Sequence, residues 1–246
     1  MAASVARRSV GRYRPRVRPV LLLLLGEPPA SVSAAFGPFP GWYERVWGTS
    51  MTVHDGRAGT PPPDPRDFAG LVITGSSASL AAPAPWMDEA ADLTRRAHDA
   101  GVPVLGVCFG HQLLGYAFGG RIRRNPTGRE IGTLPVRLTD AGARDPLFHG
   151  LPSPLTVNLT HEDDIDPDTF SGTLLAENEW TPIQALAVGD ATRGVQFHPE
   201  IDGRILAGYV EARRAVLPKP DTIRALDTPE GAEVLRNFRR FYVDKA

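Results

Sequence analysis

The sequence predicts an α/β fold: an open, mostly parallel, twisted sheet with helices on both faces. Three observations predict it. Short runs at 20–25, 51–54, 71–74 and 103–107 are almost continuously apolar, as strands covered on both faces are. A helical pattern fills the gap between the last two, giving a strand–helix–strand unit of about 35 residues with a right-handed crossover as its default. The chain has 246 residues, 42% of them hydrophobic, and one cysteine. That is enough to bury a core without staples, and it excludes an intrachain disulfide framework. The net charge of −1 leaves no footprint for nucleic acid. No run approaches the ~20 apolar residues of a membrane span, so no membrane partner is expected.

Residues 1–18 hold six arginines and no acid, a basic tail expected to be disordered. Arg7-Arg8 ahead of Val20–Leu25, and Ser33-Ala34-Ala35 after it, resemble parts of a signal peptide. The run is six residues, short of the ~7–15 of a signal core. It reads as a buried strand, with a cytoplasmic location. Residues 19–246 are expected to form one domain. Met51–His54 is the next strand, and the Pro- and Asp-rich stretch 57–66 is a loop. Leu71–Thr74 is a strand ending at Gly75-Ser76. Trp86–Ala100 is a helix, with Pro85 suited to its first turn and Gly101 to its C-cap. Pro103–Val107 follows as a strand. Arg121–Arg124 and Ile131–Leu138 flank Asn125-Pro-Thr-Gly128, which reads as a hairpin. Strands are expected at 155–159, 173–176, 183–188 and 194–198, and helices at 205–216 and 229–243.

Chemistry concentrates at three places. Gly106-Val-Cys108-Phe-Gly110 joins an apolar strand to a helical pattern, the glycine spacing of a nucleophile elbow. The helix N-terminus brings unpaired N–H groups and partial positive charge to the sulfur, and the N–H of Phe109 suits an oxyanion. Gln112, four residues on, shares the helix face of Cys108. The competing reading is a buried, inert cysteine. For a base, His198 is preferred. In His198-Pro199-Glu200 the proline forbids helix, so positions two apart share a face and Glu200 can orient the ring. Gly75 and Ser76 end a neighbouring strand, where ligands of open parallel sheets gather, and their amides can complete an oxyanion hole. His98 is expected to be solvated. His161 lies in Thr160-His-Glu-Asp-Asp164, expected to be a solvated acidic loop. No second histidine stands at ligand spacing, so no metal is expected.

The pair Gly106–Gln112 and His198-Pro199-Glu200, with nucleophile and base 90 positions apart, resembles the class I glutamine amidotransferases, the type with a Cys-His-Glu triad. The resemblance covers most of residues 19–210. The segments Gly26–Pro29, Ile73–Ser76, Thr160–Asp163 and Asn178–Gln184 are most similar to GMP-synthase-like, stand-alone members. The resemblance implies a flavodoxin-like sheet. It also implies attack of Cys108 on the side-chain amide of glutamine, a γ-glutamyl thioester, His198 as proton carrier and Glu200 as its holder. Glutamine would lie against Gln112 and the loop of His161, Glu162 and Asp163, with no cofactor. Two departures stand out: GMP synthases have Gly-Gly at Gly75-Ser76, and glycine at Glu162. No Gly-rich phosphate motif is present, so ammonia is expected to pass to a separate synthetase subunit. A stand-alone γ-glutamyl hydrolase or peptidase is the alternative, and a non-catalytic module of the same fold the third reading.

Overall fold

A computed structural model describes residues 18–245. The expected disordered tail lies outside them, apart from Arg18. In chain order the elements are β1 (Val20–Leu24), α1 (Ala30–Phe36), α2 (Phe39–Trp47), β2 (Thr52–Asp55), β3 (Gly70–Ile73), α3 (Pro85–Asp99), β4 (Val104–Val107), α4 (Phe109–Ala117), β5 (Ile122–Arg124), β6 (Glu130–Leu138), α5 (Asp140–Arg144), β7 (Leu155–His161), β8 (Asp163–Ile165), β9 (Thr173–Glu177), β10 (Ala185–Val188), β11 (Thr192–Val195), α6 (Gly203–Ala212) and α7 (Pro229–Phe238).

Nine strands form one sheet in the order β2-β1-β3-β4-β11-β10-β9-β6-β7. The half from β2 to β11 is wholly parallel, and antiparallel strands extend it from β10 to β7. Side chains alternate across β1, so the two faces feed two cores. Leu21 and Leu23 pack with Leu93 of α3 and Leu113 of α4. Leu22 packs with Trp42 of α2, Leu206 of α6 and Phe238 of α7. Among the described residues no helix is long and apolar enough to cross a membrane.

Several elements depart from the sequence reading. Helices α1 and α2 were not among the expected elements, and prolines crowd residues 28–40. Those prolines lie before or within the first turns, where a missing N–H costs nothing. Residues 121–124 and 131–138 do not form a hairpin. β5 pairs with β8, in the register Arg123↔Asp164 and Arg124↔Asp163, while β6 pairs with β7 and β9. Charge complementarity therefore overrides proximity in sequence. The acidic loop is not solvated either: the side chains of Asp163, Asp164 and Asp166 are buried, and Arg121, Arg123 and Arg124 neutralise them. His98 is half-buried, with Nδ1 2.8 Å from Thr192 Oγ1. The last two helices are shorter than expected: α6 ends at Ala212, and after Phe238 α7 loosens into a π-helical turn over Arg239–Val243.

Candidate active site

The elbow is built by close packing. A Cβ on Gly110 would stand 2.5 Å from the Ile73 carbonyl oxygen, and one on Gly106 would overlap the Gly110 carbonyl. Only glycine lets α4 start this close to β3 and β4. Cys108, between them, has φ 53° and ψ −102°, the one positive φ of a non-glycine residue among those described. Such a conformation is strained and persists only where its surroundings enforce it. Here Cys108 N–H donates to Val195 O at 2.9 Å, and Cys108 O accepts from Gln112 N–H at 3.1 Å. The sulfur lies 4.0 Å from the Thr160 carbonyl oxygen.

β11 runs parallel to β4 with Val195 opposite Val107, so the segment that follows it emerges beside the elbow. His198 N–H donates to Asn158 O at 2.8 Å, and His198 Nδ1 lies 2.7 Å from Glu200 Oε1. Nε2 is buried without a hydrogen-bond partner among the described residues. Burial opposes a charge on this ring, but the Glu200 carboxylate and then Cys108 raise its pKa to about 10. Gly75 lies between Cys108 and His198: a Cβ there would be 3.3 Å from His198 Cε1 and 3.7 Å from Cys108 Cβ. His111, by contrast, is held neutral, its pKa drawn down to about 3 mainly by burial.

Two cavities of about 130 Å³ each meet at Cys108. One runs past His198 and Tyr209 to Glu27, Pro29 and Phe39. The other is more polar and runs past Gln112 to His161, Glu162 and Asp163. Gly75, Ser76, Cys108 and His198 thus surround one space, and α4 begins at Phe109. Gln112 and His161 line the second cavity with their nitrogens already committed. Gln112 Nε2 donates to Asp163 O at 2.7 Å and to Gln196 Oε1 at 3.1 Å. His161 uses one nitrogen on Asp163 O and the other on Glu130 Oε2, 2.8 Å away. Ser79 donates to the Asp163 carboxylate, and Glu162 bridges Arg124 and Arg129 at 2.7 and 2.6 Å.

The sequence reading missed Tyr43, Arg129, Tyr209 and Arg213. Tyr43 and Tyr209 pack beside Glu200, and burial, with the Glu200 charge adding, raises both phenols above their ordinary range. Their only signal was an aromatic on the buried face of a helix. Arg213, the C-cap of α6, follows Tyr209 by four positions, a spacing that stacks side chains. Among the described residues no group of three or more His, Cys, Asp or Glu side chains is arranged to hold a metal ion.

Known proteins match this frame. A putative glutamine amidotransferase-like protein, YfeJ, of Salmonella typhimurium is 36% identical over 155 residues, covering 61% of this chain and 64% of that one. A glutamine-hydrolysing GMP synthase of Aeropyrum pernix is 35% identical over 136 residues, 54% of this chain and 24% of that one. Gamma-glutamyl peptidase 5 of Arabidopsis thaliana is 29% identical over 154 residues, 61% of each. The chain thus spans less than two thirds of the length of these relatives. Among solved structures, SMU.1228c superposes with a TM-score of 0.69 at 22% identity, over 90% of this chain and 98% of that one. A glutamine amido transferase from Methylobacillus flagellatus gives 0.66 at 22%, over 92% and 93%. At these identities the likeness is one of fold. The profile of the family "Glutamine amidotransferase class-I" matches residues 57–208, more than half of the chain. The chain therefore belongs to the class I glutamine amidotransferase family.

Proposed function

We propose that the protein hydrolyses the side-chain amide of glutamine through a covalent Cys108 intermediate and gives up the ammonia to a separate acceptor, such as a synthetase subunit. The observation that carries this reading is the convergence of Cys108 and His198, from the ends of two parallel strands, on one cavity wall, with Glu200 holding the His198 ring from behind. The charged His198 ring holds the proton that the thiol has given up, and Sγ attacks the amide carbon. Phe109 N–H and the amides of Gly75 and Ser76 hold the oxyanion. The tetrahedral species expels ammonia, with the His198 proton going to the leaving nitrogen, and leaves a γ-glutamyl thioester. Water then attacks the thioester as His198 takes its proton. The C–S bond breaks, and glutamate and the thiol are regenerated. Glu200 keeps the ring oriented and favours its charged form. The glutamyl part lies along Gln112, His161, Glu162 and Asp163. No step calls for a cofactor.

A second reading, a γ-glutamyl peptidase, is favoured by the cavity on the His198 side of Cys108. It is lined by Pro29, Phe39 and Tyr209 and has room for an amine larger than ammonia. A coupled assay for glutamate release, run on glutamine and on γ-glutamyl dipeptides, tests both. Release from glutamine that Cys108→Ser abolishes supports the first. A strong preference for the dipeptides moves the assignment to the second. No release from either substrate, with or without candidate synthetases, overturns both.

A further inference from the structure

Arg213 stands in the wall of both cavities that meet at Cys108. Its guanidinium lies over the Tyr209 ring, 4.8 Å from the centroid, and that ring lies against His198, with centroids 6.4 Å apart. Nη1 is buried without a hydrogen-bond partner among the described residues. The nearby carboxylate of Glu162 is held instead by Arg124 and Arg129. Burial, and after it the Arg129 charge, pulls the Arg213 pKa below the usual guanidinium range. Two neighbouring cations, both partly desolvated, are a costly arrangement that an arriving anion relieves.

We infer that Arg213 is a specificity-determining residue that binds the free α-carboxylate of the γ-glutamyl substrate. The inference rests on the reading of Cys108 as attacking a γ-carbonyl. In such a substrate the α-carbon is two methylenes from the attacked carbon, so its carboxylate falls within a side-chain length of the sulfur, where Arg213 lines the space. The guanidinium fork matches a carboxylate in two parallel hydrogen bonds. The oxyanion does not compete for it, because the proposed mechanism assigns that oxygen to the backbone N–H groups of Phe109, Gly75 and Ser76. Thr160, whose Oγ1 is also buried and unpartnered among the described residues, lines the same two cavities.

The experiment compares wild type, Arg213→Met and Arg213→Lys on L-glutamine, L-glutaminamide (its α-carboxylate capped), γ-glutamylglycine and γ-glutamylglycinamide. Methionine keeps an unbranched stem against Tyr209, and melting temperatures check that each variant folds. Wild type is expected to prefer glutamine over its α-amide roughly 100-fold or more in kcat/KM, because a capped carboxylate faces its N–H group to the guanidinium. Arg213→Met should bring that preference to within about threefold, and Arg213→Lys should restore part of it. A preference unchanged in Arg213→Met overturns the inference. So does a collapse confined to the glycine and glycinamide pair, which would put Arg213 on the leaving amine. If no amide is turned over, the hydrolytic reading fails on its own. Calorimetry of L-glutamine with Cys108→Ala then decides. Binding weakened about 100-fold by adding Arg213→Met supports the inference, and binding that is absent or insensitive to it overturns the inference.

Discussion

A Cβ on Gly26 would stand 2.6 Å from Ser76 Cα and 2.8 Å from the Gly75 carbonyl oxygen. The turn after β1 is thus packed directly against the backbone proposed to hold the oxyanion. The ends of β1 and β3 are laced together as well, since Leu25 N–H donates to Thr74 Oγ1 at 3.0 Å. Gly26→Ala must push the loop of Gly75 and Ser76 towards the cavity. We expect a fall of roughly 100-fold in kcat/KM, because displacements near 1 Å misalign oxyanion donors. Steady-state glutaminase rates with circular dichroism check it; a folded variant with an unchanged rate contradicts this role for the loop.

The strain at Cys108 predicts an ordering of two inactive variants. Alanine keeps the penalty of a side chain at φ 53°, whereas glycine removes it. Cys108→Gly should be about 1 kcal/mol more stable than Cys108→Ala, the relief being partly offset by the entropy glycine gives the unfolded chain. Urea denaturation of the two variants measures the difference, and alanine proving the more stable would contradict the strain.

Glu200 and His198 should differ in cost. His198→Ala is expected to lower kcat by roughly 10⁴-fold or more, and Glu200→Gln by less, since an orienting group is commonly the least costly member of such a trio. The pH dependence of stability follows from the same pair. The folded ring titrates at about 10 against a reference of 6.5. A raised folded pKa adds stability that is complete below pH 6.5 and is lost as pH climbs to about 10. In Glu200→Gln that loss should begin at lower pH. Melting temperatures across this window, with parallel curves for both proteins, would contradict the assignment.

Glu130 lies under the wall of the second cavity, accepting from Asn178 and Gln184 and facing His161. Burial opposes its charge, yet the hydrogen bond from His161, that residue's charge and the other donors hold its pKa below the usual carboxylate range. Its stabilisation is therefore present above pH 4.5 and lost as pH falls through the lowered value. Glu130→Ala should cost about 3–5 kcal/mol at pH 7, because it strands the buried polar groups that face it. It should also weaken glutamine binding by releasing His161. Denaturant titration and KM measure the two effects, and a loss below 1 kcal/mol would contradict the buried pairing.

The elbow was legible because the constraint that shapes it excludes side chains: Gly106 and Gly110 are glycine for want of space. His198 and Glu200 were legible because a proline between them fixes an extended geometry. The arginines of β5 and the aspartates of β8 carried a pairing signal that a local turn motif outweighed. Arg213 was not legible. At the end of a helix an arginine ordinarily faces water and the helix dipole, and only the folded chain closes Tyr209 and the cavity around it. α1 and α2 fall where the sequence reading placed no element, and their prolines stand ahead of each helix or, as Pro40, in its first turn.

Because β4 and β11 are neighbours in the sheet yet 88 positions apart in the chain, with Val107 opposite Val195, the sulfur and the imidazole meet only after a large loop has closed. Closure of that kind is entropically slow compared with helix formation. Recovered turnover during refolding will therefore trail the return of helical circular dichroism, which makes enzymatic competence a clock for the last stage of chain assembly.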